Sequence, residues 1–346
     1  MEAQHIGFPT DILLIFVGVI AFYMATDIYA HHKNRSMGIK EAAFWFLFWV
    51  VAAICFAGYL WVAYDPTWAK LFLVGFVLEE SLSFDNVMVF MVIFASFNIK
   101  EVVLRRVLFY GILGAIVFRL AFASVGTALY AASPWVGLGF AAVVAWTAWK
   151  MLTAGEADDT LHDYSQHWSV RLTERFMPVF PRLHGQEMVI SRQEAEALQN
   201  QDPSIQLKAN AKRYATPALL CTMVIQATDV MFAFDSVPAV IAVTREPVLV
   251  WGAMIFGVMG LRAMFFILAS LMKFLVHLDK AIIALLFYIA AKLAIEAGNK
   301  IIQWPNVHIS PEQSMAFVFS ILGLGVLASL LLPNREEQGE RPSADA

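Results

Sequence analysis

Runs of about eighteen or more nearly uncharged residues recur along this chain, and each is long enough to cross the roughly 30 Å hydrocarbon core of a bilayer. Hydrophobic residues make up 60% of the 346 residues and charged residues only 15%. A soluble domain usually has about 45–50% apolar and about 25% charged residues. The fold class is therefore predicted to be all-α, as a polytopic membrane protein.

Nine membrane spans fit the hydropathy pattern. They cover residues 10–30, 41–63, 69–96, 107–131, 135–152, 216–242, 248–271, 280–297 and 313–332. The first run is interpreted as a span and not as a removed signal peptide, because no Lys or Arg precedes it and it lacks a convincing small-residue cleavage site. The predicted organisation is two N-terminal helices in 1–68, a three-helix unit in 69–152, a cytoplasmic loop in 153–215, a second three-helix unit in 216–298, a final helix in 299–332 and a disordered cytoplasmic tail in 333–346.

The placement of Lys and Arg predicts the orientation. One side of the membrane would receive the segments 31–40, 97–106 and 153–215, which hold most of the basic residues of the loops. The loops on the other side contain only single, scattered Lys and Arg residues. Cytoplasmic loops carry the excess of positive charge, so the N-terminus is predicted outside and the C-terminus in the cytoplasm. The net charge of −4 gives no sign of nucleic-acid binding.

Two parts of the chain align with each other through the polar residues of their apolar segments. The aligned pairs are Glu79 with Asp229, Asp85 with Asp235, Asn86 with Ser236, and Arg119 with Arg262. Each unit has three spans, and an odd number of spans places the two units in opposite orientations. An inverted three-plus-three repeat of this kind is typical of transporters, whose sites lie near the midplane at the repeat interface.

The four acids and two arginines in these aligned pairs would each cost about 2.5–3.5 kcal/mol if isolated in the membrane. Their formal charges leave a surplus of −2, which either a divalent cation or protonation could balance. If the acids bind a cation and protons in turn, transport of the cation can be coupled to movement of protons in the opposite direction. All the candidate ligands are oxygens, which suit magnesium, calcium or manganese and disfavour zinc and copper. The arginines could instead pair with the acids only to hold helices together.

Helical geometry adds one further expectation. Glu79 and Asn86 share a helix face, whereas Asp85 lies about 120° away. To bring these acids together, we expect the helix backbone to loosen between them, with Pro238 leaving the carbonyl of Phe234 free in the second unit.

Three motifs resemble the TerC family, the tellurite-resistance-associated membrane proteins that include the alkaline-induced Alx type. They are LEESLSFDNVMVF (78–90), ATDVMFAFDSVPAVIAVT (227–244) and MGLRAMFFIL (259–268). The resemblance implies a core similar to that of LysE-type transporters and Mn(II) efflux across the bacterial cytoplasmic membrane, without a prosthetic group. It also implies that the family's metal-binding positions fall on Glu79, Asp85, Asp229 and Asp235, with Asn86 and Ser236 beside them.

Gln226 stands where the family often has a glutamate, so it is a candidate ligand that has lost a charge.

An alternative function is that of an interaction protein for membrane-protein assembly or metal loading of secreted enzymes, acting through loop 153–215. The acidic stretch 156–167 in that loop matches no firm metal motif. An enzyme is not expected: Asp85 and Asp235 lack the Gly-Asp setting of intramembrane aspartyl hydrolases.

Overall fold

The computed structural model describes residues 8–31, 37–99, 101–154, 167–185, 187–201, 205, 207, 211–271, 278–302 and 311–331. The helices are α1 (Thr10–His31), α2 (Ile39–Ala63), α3 (Pro66–Ser96), α4 (Glu101–Ala132), α5 (Pro134–Ala154), α6 (Trp168–Phe176), α7 (Arg192–Gln201), α8 (Pro217–Thr244), α9 (Pro247–Leu271), α10 (Leu278–Ile302) and α11 (Pro311–Leu331). Two short strands, β1 (Val189–Ser191) and β2 (Arg213–Ala215), pair antiparallel. Residues 156–166 of the acidic stretch 156–167, and the tail 333–346, lie outside the described residues.

Six of the described helices are long and apolar enough to cross a membrane: α2, α4, α5, α8, α9 and α10. Helices α1 and α11 contain shorter apolar stretches, Thr10–Thr26 and Ala316–Ser329. Helix α3 has 31 residues, but its charged residues interrupt every apolar window of spanning length. The chain is thus an all-α, multi-pass membrane protein, whereas the full set of nine spans and the inverted repeat stay predictions.

Local sequence determines where the helices that carry the site begin and end. Asp65 caps α3 by accepting a 2.6 Å hydrogen bond from the Thr67 backbone N–H, and a proline occupies the first turn. A proline also starts α8, which ends at Arg245 in the left-handed conformation (φ 57°). Only Arg245 and Glu246 separate α8 from α9. These two helices are therefore held close at one end.

Helix α9 lies at the centre of the bundle, in contact with α1, α2, α3, α4 and α8. Helix α3 packs on α8 and α9, α4 packs on the same two helices, and α5 packs on α10. An aromatic cluster fills the space between α2, α3 and α9: the Phe56 ring centroid is 4.9 Å from that of Phe72 and 5.3 Å from that of Phe256. Burial of these rings stabilises the part of the bundle next to the polar site.

Part of the hydrophilic segment 153–215, which is predicted to be a cytoplasmic loop, forms a small folded unit. Strands β1 and β2 enclose a small core that includes Phe180, Ile190 and Tyr214. Ser191 and Glu194 form a capping box at the start of α7: the glutamate accepts from the Ser191 backbone N–H at 2.8 Å and from its hydroxyl at 2.7 Å. These hydrogen bonds lower the pKa of the Glu194 carboxyl.

The expected loosening of the helices between their acids is wrong. Helix α3 is continuous from Pro66 to Ser96, and α8 is continuous from Pro217 to Thr244 with Pro238 inside it. A proline removes a single intrahelical hydrogen bond, and packing against the neighbouring helices holds the backbone in shape.

Candidate functional site

Arg119 lies at the centre of a buried ion-pair network that joins three helices. Its side chain projects from α4 and is fully buried, as is Glu79 on α3, while Asp229 on α8 is 1% exposed. The Nη2 group of Arg119 donates to Asp229 Oδ1 at 2.8 Å, and Nε donates to Oδ2 at 3.4 Å. Nη1 is in ion-pair contact with Glu79 Oε1. One guanidinium therefore bridges two carboxylates from two different helices.

Two polar neighbours on α3 complete this network. The Ser83 hydroxyl donates to Glu79 Oε1 at 3.3 Å, one helical turn along. The Asn86 amide is oriented so that both its nitrogen and its oxygen form hydrogen bonds. The nitrogen donates to the Leu82 carbonyl at 3.2 Å, and the oxygen accepts from Arg119 Nη2 at 3.0 Å. Glu79, Ser83 and Asn86 thus share the helix face that their spacing predicts.

Two glycines on α9 make room for the acids of α3. A Cβ at Gly257 would lie 2.6 Å from Glu79 Cγ, and a Cβ at Gly260 would lie 2.7 Å from Glu80 Oε1. Carbon atoms in contact prefer about 3.5–4.0 Å, so a larger residue at either position would push the glutamate away. Nothing in the sequence analysis singled out these glycines, although their i, i+3 spacing places them on one face of α9.

The other predicted ligands are placed as follows. Asp85 and Asp235 belong to α3 and α8, but their side chains lie outside the described part of the structure. The Ser236 hydroxyl is buried, with no hydrogen-bond partner among the described groups. The Gln226 amide nitrogen donates to the carbonyls of Tyr110 at 2.8 Å and Gly111 at 2.9 Å. Gln226 is therefore tied to α4 through its nitrogen, while its buried oxygen has no described partner.

Gln226 also lines a cavity of about 910 Å³ between α4, α8 and the β1–α7 segment. Arg106, Glu187 and Glu194 are among the polar residues around this cavity, and Leu113 and Val117 are among the apolar ones. Since Asp229 follows Gln226 by three residues on α8, the cavity ends about one helical turn from the buried network.

Arg262 lies apart from the Arg119 network as far as the described contacts show. It is buried on α9 and lines a small cavity with Tyr23, Glu41 and Trp45. Its predicted role in balancing the charge of the acids stays a prediction.

Among the described residues, no group of three or more His, Cys, Asp or Glu forms a metal-binding cluster. What is described instead is a pair of carboxylates whose counter-ion is a guanidinium. The Glu79 Oε2 atom is buried with no hydrogen-bond partner among the described groups. The two acids, the Asn86 amide and the Ser83 hydroxyl all supply oxygen, so this set matches the ligands of a hard divalent cation.

Comparison with known proteins adds independent information. The model of the "Integral membrane protein TerC family" matches residues 64–337. A protein from Serratia marcescens named "Tellurium resistance protein TerC" is 43% identical over 348 residues, which cover 99% of this chain and 100% of that protein. A protein of Escherichia coli K12 named "Putative membrane-bound redox modulator Alx" is 30% identical over 318 residues, covering 89% and 90% of the two chains. No solved structure matches.

Proposed function

Because this chain belongs to the TerC family of integral membrane proteins, we propose that it exports Mn²⁺ across the bacterial cytoplasmic membrane, in exchange for protons. The observation that carries the proposal is the meeting of Glu79 and Asp229, from α3 and α8, inside the bundle with almost no exposure. Ionisable residues within membrane helices are costly, and they typically mark ion pathways. Manganese is chosen among hard cations through the family resemblance.

The packing of the helices supports an inverted repeat. If α3, α4 and α5 are exchanged with α8, α9 and α10, the contact of α3 with α9 becomes the contact of α8 with α4, which is also present. The contacts of α3 with α8, of α4 with α9 and of α5 with α10 map onto themselves. Glu79 and Asp229 then occupy equivalent positions on either side of the pseudo-twofold axis. A site at such an interface suits alternating access.

Flux measurements in proteoliposomes test the transport proposal. The protein is reconstituted with an Mn²⁺-sensitive dye inside, and a proton gradient is imposed. The parent should move Mn²⁺, whereas Asp229→Asn and Glu79→Gln should each reduce the flux about tenfold or more, because each removes a charged ligand. Glu196→Gln is the control, since Glu196 is 49% exposed in a surface ion pair with Arg192. Flux through Asp229→Asn equal to the parent's would contradict the site assignment.

A second function is an assembly or metal-loading role through the segment 153–215, and the folded unit around β1 and β2 favours it. Deletion of this segment is not a clean test, because the Thr216 hydroxyl at the start of α8 donates to the carbonyls of Glu187 at 2.7 Å and Met188 at 3.0 Å. Ile190→Asp is a more selective test than the deletion, because it places a charge in the small core and leaves the chain length unchanged. Transport should survive this change, whereas a partner function should fail.

A further inference from the structure

Arg119 occupies the place that a divalent cation would need. Its guanidinium lies against both oxygens of Asp229, against Glu79 Oε1 and against the Asn86 oxygen. These are the same oxygens that the proposed Mn²⁺ site would use. All of the groups are buried, so water does little to screen a positive ion from the guanidinium. Mn²⁺ and the guanidinium would therefore compete for the same described oxygens.

We propose that Arg119 is a tethered counter-ion that alternates with Mn²⁺ at the Glu79–Asp229 pair. In this proposal the guanidinium keeps its contacts with both carboxylates while no metal is bound, and Mn²⁺ displaces it on binding. This inference rests on the proposed transport function. An arginine is suited to this role because it stays protonated, so it leaves the carboxylates only by moving and not by losing its charge.

Such a counter-ion allows the transporter to change conformation when no metal is bound, which it must do after releasing each Mn²⁺ ion. Without Arg119, two carboxylates would face each other in the bundle with no described cation between them. An arrangement of that kind favours the metal-bound form, since removal of one partner from a buried ion pair leaves an uncompensated charge. A protein lacking the guanidinium should therefore hold Mn²⁺ more tightly and change conformation poorly when empty.

Comparison of exchange with net flux tests this directly. Exchange of internal Mn²⁺ for external radioactive Mn²⁺ needs only the metal-loaded carrier, whereas net flux also needs the empty one. Arg119→Gln should keep exchange within about threefold of the parent, lose about tenfold or more of the net flux, and bind Mn²⁺ about tenfold more tightly, which corresponds to about 1.4 kcal/mol. Lys150→Gln is the control, since it removes a positive charge from α5. It should leave the ratio of Mn²⁺ exchange to net Mn²⁺ flux unchanged.

The outcomes separate the two proposals. A parent protein that moves no Mn²⁺ contradicts the transport function itself. If the parent transports, equal loss of exchange and net flux in Arg119→Gln would overturn the counter-ion proposal, and so would the retention of both.

A second variant covers the case in which Arg119→Gln does not fold. Arg119→Lys keeps the charge but loses the guanidinium fork that reaches both oxygens of Asp229, so it should compete less well with the metal. Mn²⁺ titration of the purified variant should give an affinity about tenfold higher than that of the parent. An unchanged or lower affinity would overturn the proposal.

Discussion

Replacement of Gly257 by alanine should separate Glu79 from Arg119 without removing any charge. The new Cβ would lie 2.6 Å from Glu79 Cγ. Because Cγ is close to the backbone of α3, bending of the end of the side chain cannot relieve the clash. Either Glu79 changes rotamer or α3 and α9 move apart, by about 1 Å if carbon contacts are to return to their preferred range. A new rotamer of Glu79, or a shift of α3 away from α9, takes the carboxylate from its present position beside Arg119.

The magnitude follows from three contributions. Crowding of a packed interior costs about 1–3 kcal/mol. Breaking of a buried ion pair costs about 3–5 kcal/mol when the partner charge is left alone, and here Asp229 still neutralises Arg119, so the lower part of that range applies. The helical preference for alanine over glycine returns up to about 1 kcal/mol. We expect the free energy of unfolding to fall by about 3–5 kcal/mol.

The assay is thermal unfolding in detergent, together with Mn²⁺ flux in proteoliposomes. Gly58→Ala is the matched control, because a Cβ at Gly58 on α2 would meet nothing within 4 Å. That variant should be as stable as the parent or up to about 1 kcal/mol more stable, and it should transport normally. If Gly257→Ala behaved like Gly58→Ala in both measurements, the close contact of α9 with Glu79 and the role of that contact in the site would be refuted.

Three further outcomes are expected. Gly114→Ala should lower stability by about 1–3 kcal/mol in thermal unfolding, because its Cβ would overlap Gln226 Oε1 and displace the amide from α4. Ser191→Ala should destabilise α7 by about 1 kcal/mol, seen as faster amide hydrogen exchange in that helix. The depressed pKa of Glu194 means that its contribution to α7 is present above the ordinary carboxyl pKa and is lost as the pH falls through the lowered value. The protection of the α7 amides, measured relative to the intrinsic exchange rate at each pH, should therefore fall on acidification.

Control variants accompany the first and the third of these predictions. Gly139→Ala on α5 meets nothing within 4 Å of its Cβ and should not lose stability as Gly114→Ala does. Glu194→Gln should abolish the acid sensitivity of α7, while exchange in α6 stays unchanged. Persistence of the acid sensitivity in that variant would show that the capping carboxylate is not its source.

The candidate site could be predicted from the sequence to the extent that charge is rare in apolar helices. Glu79, Asp229 and Arg119 stand out because each interrupts an apolar run. Their partners could not be assigned in advance, because the pairing depends on how α3, α4 and α8 pack. Gly257 was not recognised, since glycine is common in membrane helices and only the facing glutamate gives it a role.

The expected loosening of the helix backbone failed for a physical reason. Pro238 was treated in isolation, whereas the packed neighbours of α8 keep it helical through this residue. The segment 153–215 was predicted to be a cytoplasmic loop, and the small folded unit within it was not anticipated. Its capping box was readable from Ser191 and Glu194, a Ser-x-x-Glu pattern at the start of a helix.

The central place of α9 has a consequence for biosynthesis. Most of the helices around it, including α1 to α4 and α8, leave the ribosome before it does. Until Pro247–Leu271 has been inserted, the face of α3 that bears Glu79 and Glu80 lacks the glycine surface that covers it in the finished protein. Nascent chains that end before α9 therefore lack this cover over the two carboxylates. Completion of the bundle is a late event in translation.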